Sequence, residues 1–165
     1  MHSLVIRPGT TEDAQSIAAL ANLLWPDTNS NELIETVHES LTSSDDEIFV
    51  AMNASTMIGF VMVGLRHDYV EASTSSPVGY IEGIFVLPAY RHGGVGRELV
   101  QAAETWCGSK GCSEMGSDTE VENTASQKFH KQCGYAIASH IVHFIKPLQK
   151  NEKPSDQRRV SRLQS

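Results

Sequence analysis

The stretch Gly79-Tyr-Ile-Glu-Gly-Ile-Phe-Val-Leu-Pro-Ala-Tyr-Arg-His-Gly-Gly-Val-Gly-Arg97 reads as a strand, a proline-marked turn and a glycine-rich entry into a helix. Tyr80 to Leu87 is apolar and β-rich apart from Glu82 and Gly83, and Pro88 ends the pairing because it has no N–H to donate. Beyond it, Val95, Leu99, Val100, Ala103 and Trp106 recur at helical spacing. Glycines at such an entry let the backbone approach a ligand, and the first free N–H groups of the helix point at it with the positive end of the dipole, an arrangement suited to phosphate. Two common phosphate motifs fail: Gly96 is followed by Arg97 and Glu98 rather than Lys-Ser/Thr, and Leu99 stands where a dinucleotide fingerprint needs a third small residue. What remains is Arg91-x-x-Gly94-x-Gly96 directly after a strand.

A second motif follows at Asn123-x-x-Ser126-x-x-Phe129-His130-x-x-x-Gly134-Tyr135. In this order and spacing the pair resembles the two signatures of the GNAT acetyltransferase superfamily. Within it, Arg66-His67-Asp68-Tyr69-Val70, Ser75-Ser76-Pro77-Val78, Glu82 to Pro88 and Ser117-Asp118-Thr119 with Asn123-Thr124 and Ser126-Gln127 look like the aminoglycoside 6'-N-acetyltransferases. The resemblance spans about residues 3 to 148.

That resemblance implies an α/β (α+β) fold, a mixed, mostly antiparallel sheet flanked by helices and splayed at the central strand. It implies acetyl-CoA as co-substrate, no metal, and an aminoglycoside amine as acceptor. The pantetheine arm would run along Ile84, Phe85 and Val86. The phosphates would lie on Arg91, His92, Gly93, Gly94, Val95, Gly96 and Arg97, with Asn123 facing the cofactor. Trp25, Tyr69, Glu82, Asp118 and Ser139 would meet the drug, and a homodimer is expected. Two positions depart from the family pattern: His130 stands where many members carry a tyrosine that protonates the departing thiolate, and Ser139 where a glutamate often contacts the drug.

The residues themselves specify chemistry. An amine is mostly protonated at neutral pH, so it must lose a proton before it attacks a thioester; a carboxylate with a bridging water can take it, and two carboxylates also hold the cation. Glu82 is the leading base and Asp118 its rival; by its place in the resembled pattern His130 could donate to the thiolate, or the thiolate could leave unassisted. Between Tyr80, Ile81, Ile84 and Phe85, Glu82 is expected to be desolvated unless a partner satisfies it, and Gly83 beside it suggests a bulge. Asp118 can equally fix its own turn. Trp25, at a helix end before Pro26, suits either core packing or an indole face for an amino sugar.

Composition narrows the class. At 165 residues one domain is expected. The net charge is -7. The stretch 149–165 carries five cationic residues against two anionic ones, leaving residues 1–148 markedly acidic. Such a surface disfavours nucleic acid and favours cationic partners. We therefore expect an acetyltransferase domain over 1–148 and a basic, polar, flexible tail over 149–165. No apolar run reaches the roughly 18 residues of a membrane helix, and Met1-His2-Ser3 opens no signal peptide, so a cytoplasmic protein off the membrane is expected. Cys107, Cys112 and Cys133 are odd in number and read as free thiols; His140-x-x-His143 lies in a strand-like stretch and is not expected to bind zinc.

Further elements are expected as a strand at 4–7, a helix ending at Pro26, a helix through Leu33 and Leu41, strands at 48–52 and 57–70, a mobile loop at 71–76, a strand at 112–116, and a strand or hairpin at 135–146. An acetyltransferase for another amine, such as a polyamine or peptide terminus, and a catalytically idle coenzyme A-binding sensor remain alternatives. Turnover separates them.

Overall fold

The computed structural model describes residues 3–149; residues 150–165 of the expected tail lie outside the described residues. Strand β1 (Leu4–Pro8) leads through a 3-10 turn into α1 (Ala14–Leu24) and α2 (Ser30–Thr42). Strands β2 (Asp46–Asn53), β3 (Thr56–Arg66) and β4 (Val78–Val86) follow, then α3 (Val95–Ser109), β5 (Met115–Ser117) and α4 (Thr124–Gln132). The sheet runs β1-β2-β3-β4-β5, with the first three junctions antiparallel and the last parallel. A parallel junction needs a crossover, which α3 supplies. This is the mixed, mostly antiparallel sheet that the sequence implies.

Alternation along the strands divides the core between the two faces. Ile48, Val50, Phe60 and Met62 pack under α1 and α2 with Ile17, Ala21, Leu33 and Val37. Val61, Val63, Ile81 and Val86 pack under α3 with Val95, Leu99, Val100 and Ala103, and Phe129 of α4 joins that side. Trp25 caps the end of α1 and Pro26 follows it, and Arg7 fixes the entry to that helix by donating from Nη1 and Nη2 to Asp13 at 2.7 and 2.9 Å. These hydrogen bonds hold the Asp13 carboxyl well below the usual carboxylate range.

Three expectations need correction. Strand β3 stops at Arg66, so Tyr69 lies in the following loop rather than on an edge strand. The loop is tied down: Thr74 N donates to Glu114 Oε1 at 2.9 Å, and the Ser75 hydroxyl donates to the same oxygen. Nor is there a strand or hairpin at 135–146. From Ala136 to Gln149 the chain has no regular structure, and Ile137, Val142, Phe144 and Ile145 are exposed. Its alternating side chains suit a strand, but no sheet edge within the described residues pairs with it.

Candidate active site

Strands β4 and β5 pair only over Gly79↔Met115, Tyr80↔Gly116 and Ile81↔Ser117. Beyond that rung they diverge, and the next residues are Glu82 on one side and Asp118 on the other. This fork is the splay expected at the central strand. The β3–β4 register skips there as well: Met62 faces Gly83 and Val63 faces Ile81, so Glu82 is the extra residue of a bulge. Gly83 makes a close approach possible, because a Cβ there would lie 2.5 Å from Cη2 of Trp25. Trp25 thus belongs to the core margin and lies against Gly83, the residue after Glu82.

The expected desolvation of Glu82 is not found. Its side chain keeps 40% of its exposure and is satisfied by Arg66, which donates from Nη2 to both carboxylate oxygens (2.9 and 3.0 Å) and from Nε to Oε1 (3.1 Å). The same guanidinium stacks 3.4 Å from the centroid of Tyr80. Tyr80 in turn donates its hydroxyl to Asp118 Oδ2 at 2.6 Å. Burial, reinforced by Asp118, drives the Tyr80 hydroxyl far above its ordinary titration range and keeps it a donor. Burial works against the charge of Arg66, but Glu82 outweighs it and raises the guanidinium's pKa. Arg66 and Tyr80 therefore bridge two carboxylates, one on β4 and one just past the end of β5. Asp46 extends the acidic side: a Cβ on Gly64 would lie 2.7 Å from its Oδ1 and 3.8 Å from Glu82 Oε1.

The predicted phosphate loop has the shape its glycines suggest. Gly94 precedes α3 with φ of +88°, and His92 also takes a positive φ of 64°. No acceptor among the described residues takes the N–H groups of His92, Gly93 or Gly94, and the first turn of α3 leaves more free donors. Nothing lies within 4 Å of a Cβ placed on Gly94. Such open donors at a helix N-terminus suit the phosphates of coenzyme A. Arg91 serves the loop from behind, donating from Nε to the Val86 carbonyl at 2.8 Å. The side chain of Val95 is buried, which leaves only its backbone for a ligand. Gly96 has a packing reason: a Cβ there would lie 2.9 Å from the Phe129 ring. Arg97 is exposed.

The other expected residues lie at or on α4 and in loops. Asn123 caps α4, its Oδ1 accepting from Ser126 N at 3.0 Å. Tyr69 is 78% exposed and bonds to Glu71. Ser139 lies in the exposed run after α4 and is not brought to the fork. His130 is half-buried on α4 beside Ser117. Tyr80 and Asp46 have no role assigned in the sequence reading, and Arg66 and Ser117 enter it only as the first residues of family-like stretches; alternation along β3 and β4, which puts Arg66, Tyr80 and Glu82 on one face, is the signal that groups Arg66 and Tyr80 with Glu82. A groove of about 700 Å³ lies elsewhere, between Ile6, Phe49 and the Trp106 side of α3. It carries none of the paired acids. Glu82 and Asp118 stand at the fork and not in that groove.

A forked sheet with carboxylates at the fork and a phosphate-fitting loop at the next helix is the arrangement of an acyltransferase fed by a coenzyme A thioester. The chain belongs to the GNAT acetyltransferase family, whose model matches residues 17–135. An aminoglycoside N(6')-acetyltransferase type 1 from Stenotrophomonas maltophilia is 39% identical over 87% of this chain and 94% of its own length. One of the same description from Salmonella typhimurium is 40% identical over 77% of this chain and 88% of its own length. Among solved structures, AAC(6')-Iy in complex with a bisubstrate analogue, CoA-S-monomethyl-acetylneamine, superposes with a TM-score of 0.85 at 36% identity, over 88% of this chain and 99% of that one. The same enzyme with CoA gives 0.87, over 90% and 97%.

Proposed function

We propose that this protein transfers the acetyl group of acetyl-CoA to the 6'-amino group of aminoglycosides, conferring resistance to them. The observation that carries this reading is the pair Glu82 and Asp118, held by Arg66 and Tyr80 where β4 and β5 part, beside a loop that fits phosphate. Similarity to enzymes described as acetylating aminoglycosides at N6' supports the acceptor and the position. Acetyl-CoA supplies the activated acyl group, which the amine attacks directly. Glu82 takes the proton of the incoming ammonium, directly or through water, and Asp118 shares in holding the cation. Donors on the free edge of β4 at Ile84 and Val86 orient the thioester, and the N–H groups from His92 to Arg97 hold the phosphates. Trp25 offers the drug an apolar wall next to Glu82. Acetylation turns a cationic ammonium into a neutral amide, which removes a charge that an aminoglycoside uses for binding.

The test is acetyl transfer to kanamycin beside a matched aminoglycoside with a 6'-hydroxyl, following product mass. Acetylation of the amine alone is the expected result. Binding of acetyl-CoA with neither drug acetylated would move the reading to another amine or to a sensor.

We further propose a domain over 1–148, a cytoplasmic setting and a homodimer. The three free cysteines suit a reducing compartment. No helix among the described residues is long and apolar enough to cross a membrane. The dimer is supported by the exposed apolar run after α4, where Phe144 is 92% and Ile145 98% exposed, since such a run gains by burial against a partner. Sedimentation equilibrium should give twice the chain mass of 18.1 kDa. A monomer at micromolar concentration would refute the dimer.

A further inference from the structure

Both ring nitrogens of His130 have hydrogen-bond partners. Its Nδ1 lies 2.8 Å from the carbonyl oxygen of Ser126, one turn back on α4. A carbonyl only accepts, which favours a hydrogen on Nδ1 over the longer alternative in which the Ser126 hydroxyl, 3.3 Å away, donates to that nitrogen. The ring is wedged edge-on between Phe129 and Tyr135, with centroids 5.7 and 5.8 Å away. Its other nitrogen, Nε2, lies 2.8 Å from Ser117 Oγ. When the ring is neutral, Nε2 is an acceptor and the serine hydroxyl donates to it. When the ring is protonated, Nε2–H donates to Ser117 Oγ, and the hydroxyl hydrogen is released to point elsewhere.

Ser117 is the last residue of β5 and pairs with Ile81 on the final rung before the fork. Successive side chains of a strand face opposite ways. Ser117 turns toward α4 and His130, whereas Asp118, the next residue, meets Tyr80 on the side that carries Arg66 and Glu82. The fork thus has an acidic side for an ammonium group and a hydroxyl side toward α4. The hydroxyl side is also the side of the phosphate loop, because α3 packs on that face and Phe129, adjacent to His130, lies against Gly96. A thioester held by the loop and threaded into the fork would have its sulfur toward Ser117.

We infer that Ser117 is the group that protonates the departing thiolate and that His130 supplies the serine from behind, as a positioning and relay residue that does not touch the sulfur. This assignment rests on the acetyl-transfer reading above. As the C–S bond breaks and its electron pair goes to sulfur, Ser117 gives its hydroxyl proton to the sulfur and takes one from Nε2 of the His130 imidazolium. The ring is left neutral, with Nδ1–H still on the Ser126 carbonyl. It regains its proton from solvent, while Glu82 passes the amine's proton outward. The charges balance without any other reactant.

The experiment compares the wild-type protein with Ser117→Ala and Ser117→Thr in single-turnover transfer from acetyl-CoA to kanamycin, with the dissociation constant for CoA measured on each. The alanine variant should slow transfer by about 10- to 100-fold, the low end for a lost general acid because a thiolate already leaves well. Its affinity for CoA should stay within about twofold, and the threonine variant, which keeps the hydroxyl, should recover most of the rate. A second reading needs no turnover. In ligand-free protein, ¹⁵N resonances of the neutral His130 ring should show the Nδ1–H tautomer, and Ser117→Ala should shift Nε2 alone. An alanine variant as fast as wild type, or a threonine variant as slow as alanine, overturns the relay and leaves the acetyl-transfer reading intact. An Nε2–H tautomer also overturns it. Wild-type protein that binds acetyl-CoA but transfers nothing removes both.

Discussion

Glu82→Gln is expected to lower kcat for an aminoglycoside about 10²- to 10³-fold, with the affinity for acetyl-CoA unchanged within about twofold. The substitution preserves the shape and the bulge but leaves an amide that cannot accept the amine's proton. Two side effects can be separated from this loss. The ion pair with Arg66 disappears, yet both side chains are about 40% exposed, so stability should move by under about 1 kcal/mol. Arg66 can still donate to the amide oxygen, which keeps the guanidinium on Tyr80. Asp118→Asn gives the contrast: its oxygen still accepts from Tyr80, so its effect should fall mainly on KM for the drug. Steady-state kinetics with a thermal melt on both variants decides. If Glu82→Gln turns over at the wild-type rate, Glu82 leaves the mechanism, and an equally large kcat loss in Asp118→Asn would make Asp118 the base.

The second large effect concerns two glycines two residues apart with different reasons to be glycine. At Gly94 the φ of +88° disfavours any side chain, by about 1–2 kcal/mol, but the space around a new Cβ is open. That open space is where a phosphate approaches the free N–H groups. Gly94→Ala should therefore weaken CoA binding by about 10- to 100-fold, the loss of one or two hydrogen bonds to a charged group, with a modest fall in Tm. At Gly96 the new methyl meets the Phe129 ring at 2.9 and 3.1 Å. Gly96→Ala should act as overpacking, costing about 1–3 kcal/mol of stability by separating α3 from α4. Calorimetric titration with CoA beside thermal unfolding of each variant tests the division. Unchanged CoA affinity in Gly94→Ala would remove the loop from phosphate binding.

Much of the fold was legible because its signals are local. Pro88, the glycines at 93, 94 and 96, and the apolar spacing from Val95 to Trp106 locate the strand end, the loop and α3 within a few residues. Gly83 announced the bulge. Pairs formed across the chain were not legible. Arg66 and Glu82 are sixteen residues apart, and Tyr80 and Asp118 thirty-eight; a sequence shows that Glu82 needs a partner but not which cation arrives. The exposure of Glu82 escapes a sequence reading for the same reason, since apolar neighbours in sequence on a strand point to both faces and the partner that satisfies the carboxylate comes from another strand. The segment 135–146 illustrates the limit from the other side. Alternation gives a chain strand propensity, but a strand exists only where an edge accepts it.

The single parallel junction of the sheet, between β4 and β5, also divides the molecule by its history in the chain. Everything before it is a meander of neighbouring antiparallel strands, and everything after it arrives through the α3 crossover. Glu82 belongs to the first part, Ser117 and His130 to the second. The site is therefore a seam, and whatever occupies it stitches the two parts together. A ligand bound across such a seam stabilises the folded chain in proportion to the logarithm of its concentration over Kd, so the reactant that the fork accommodates also acts as a fastener for the sheet.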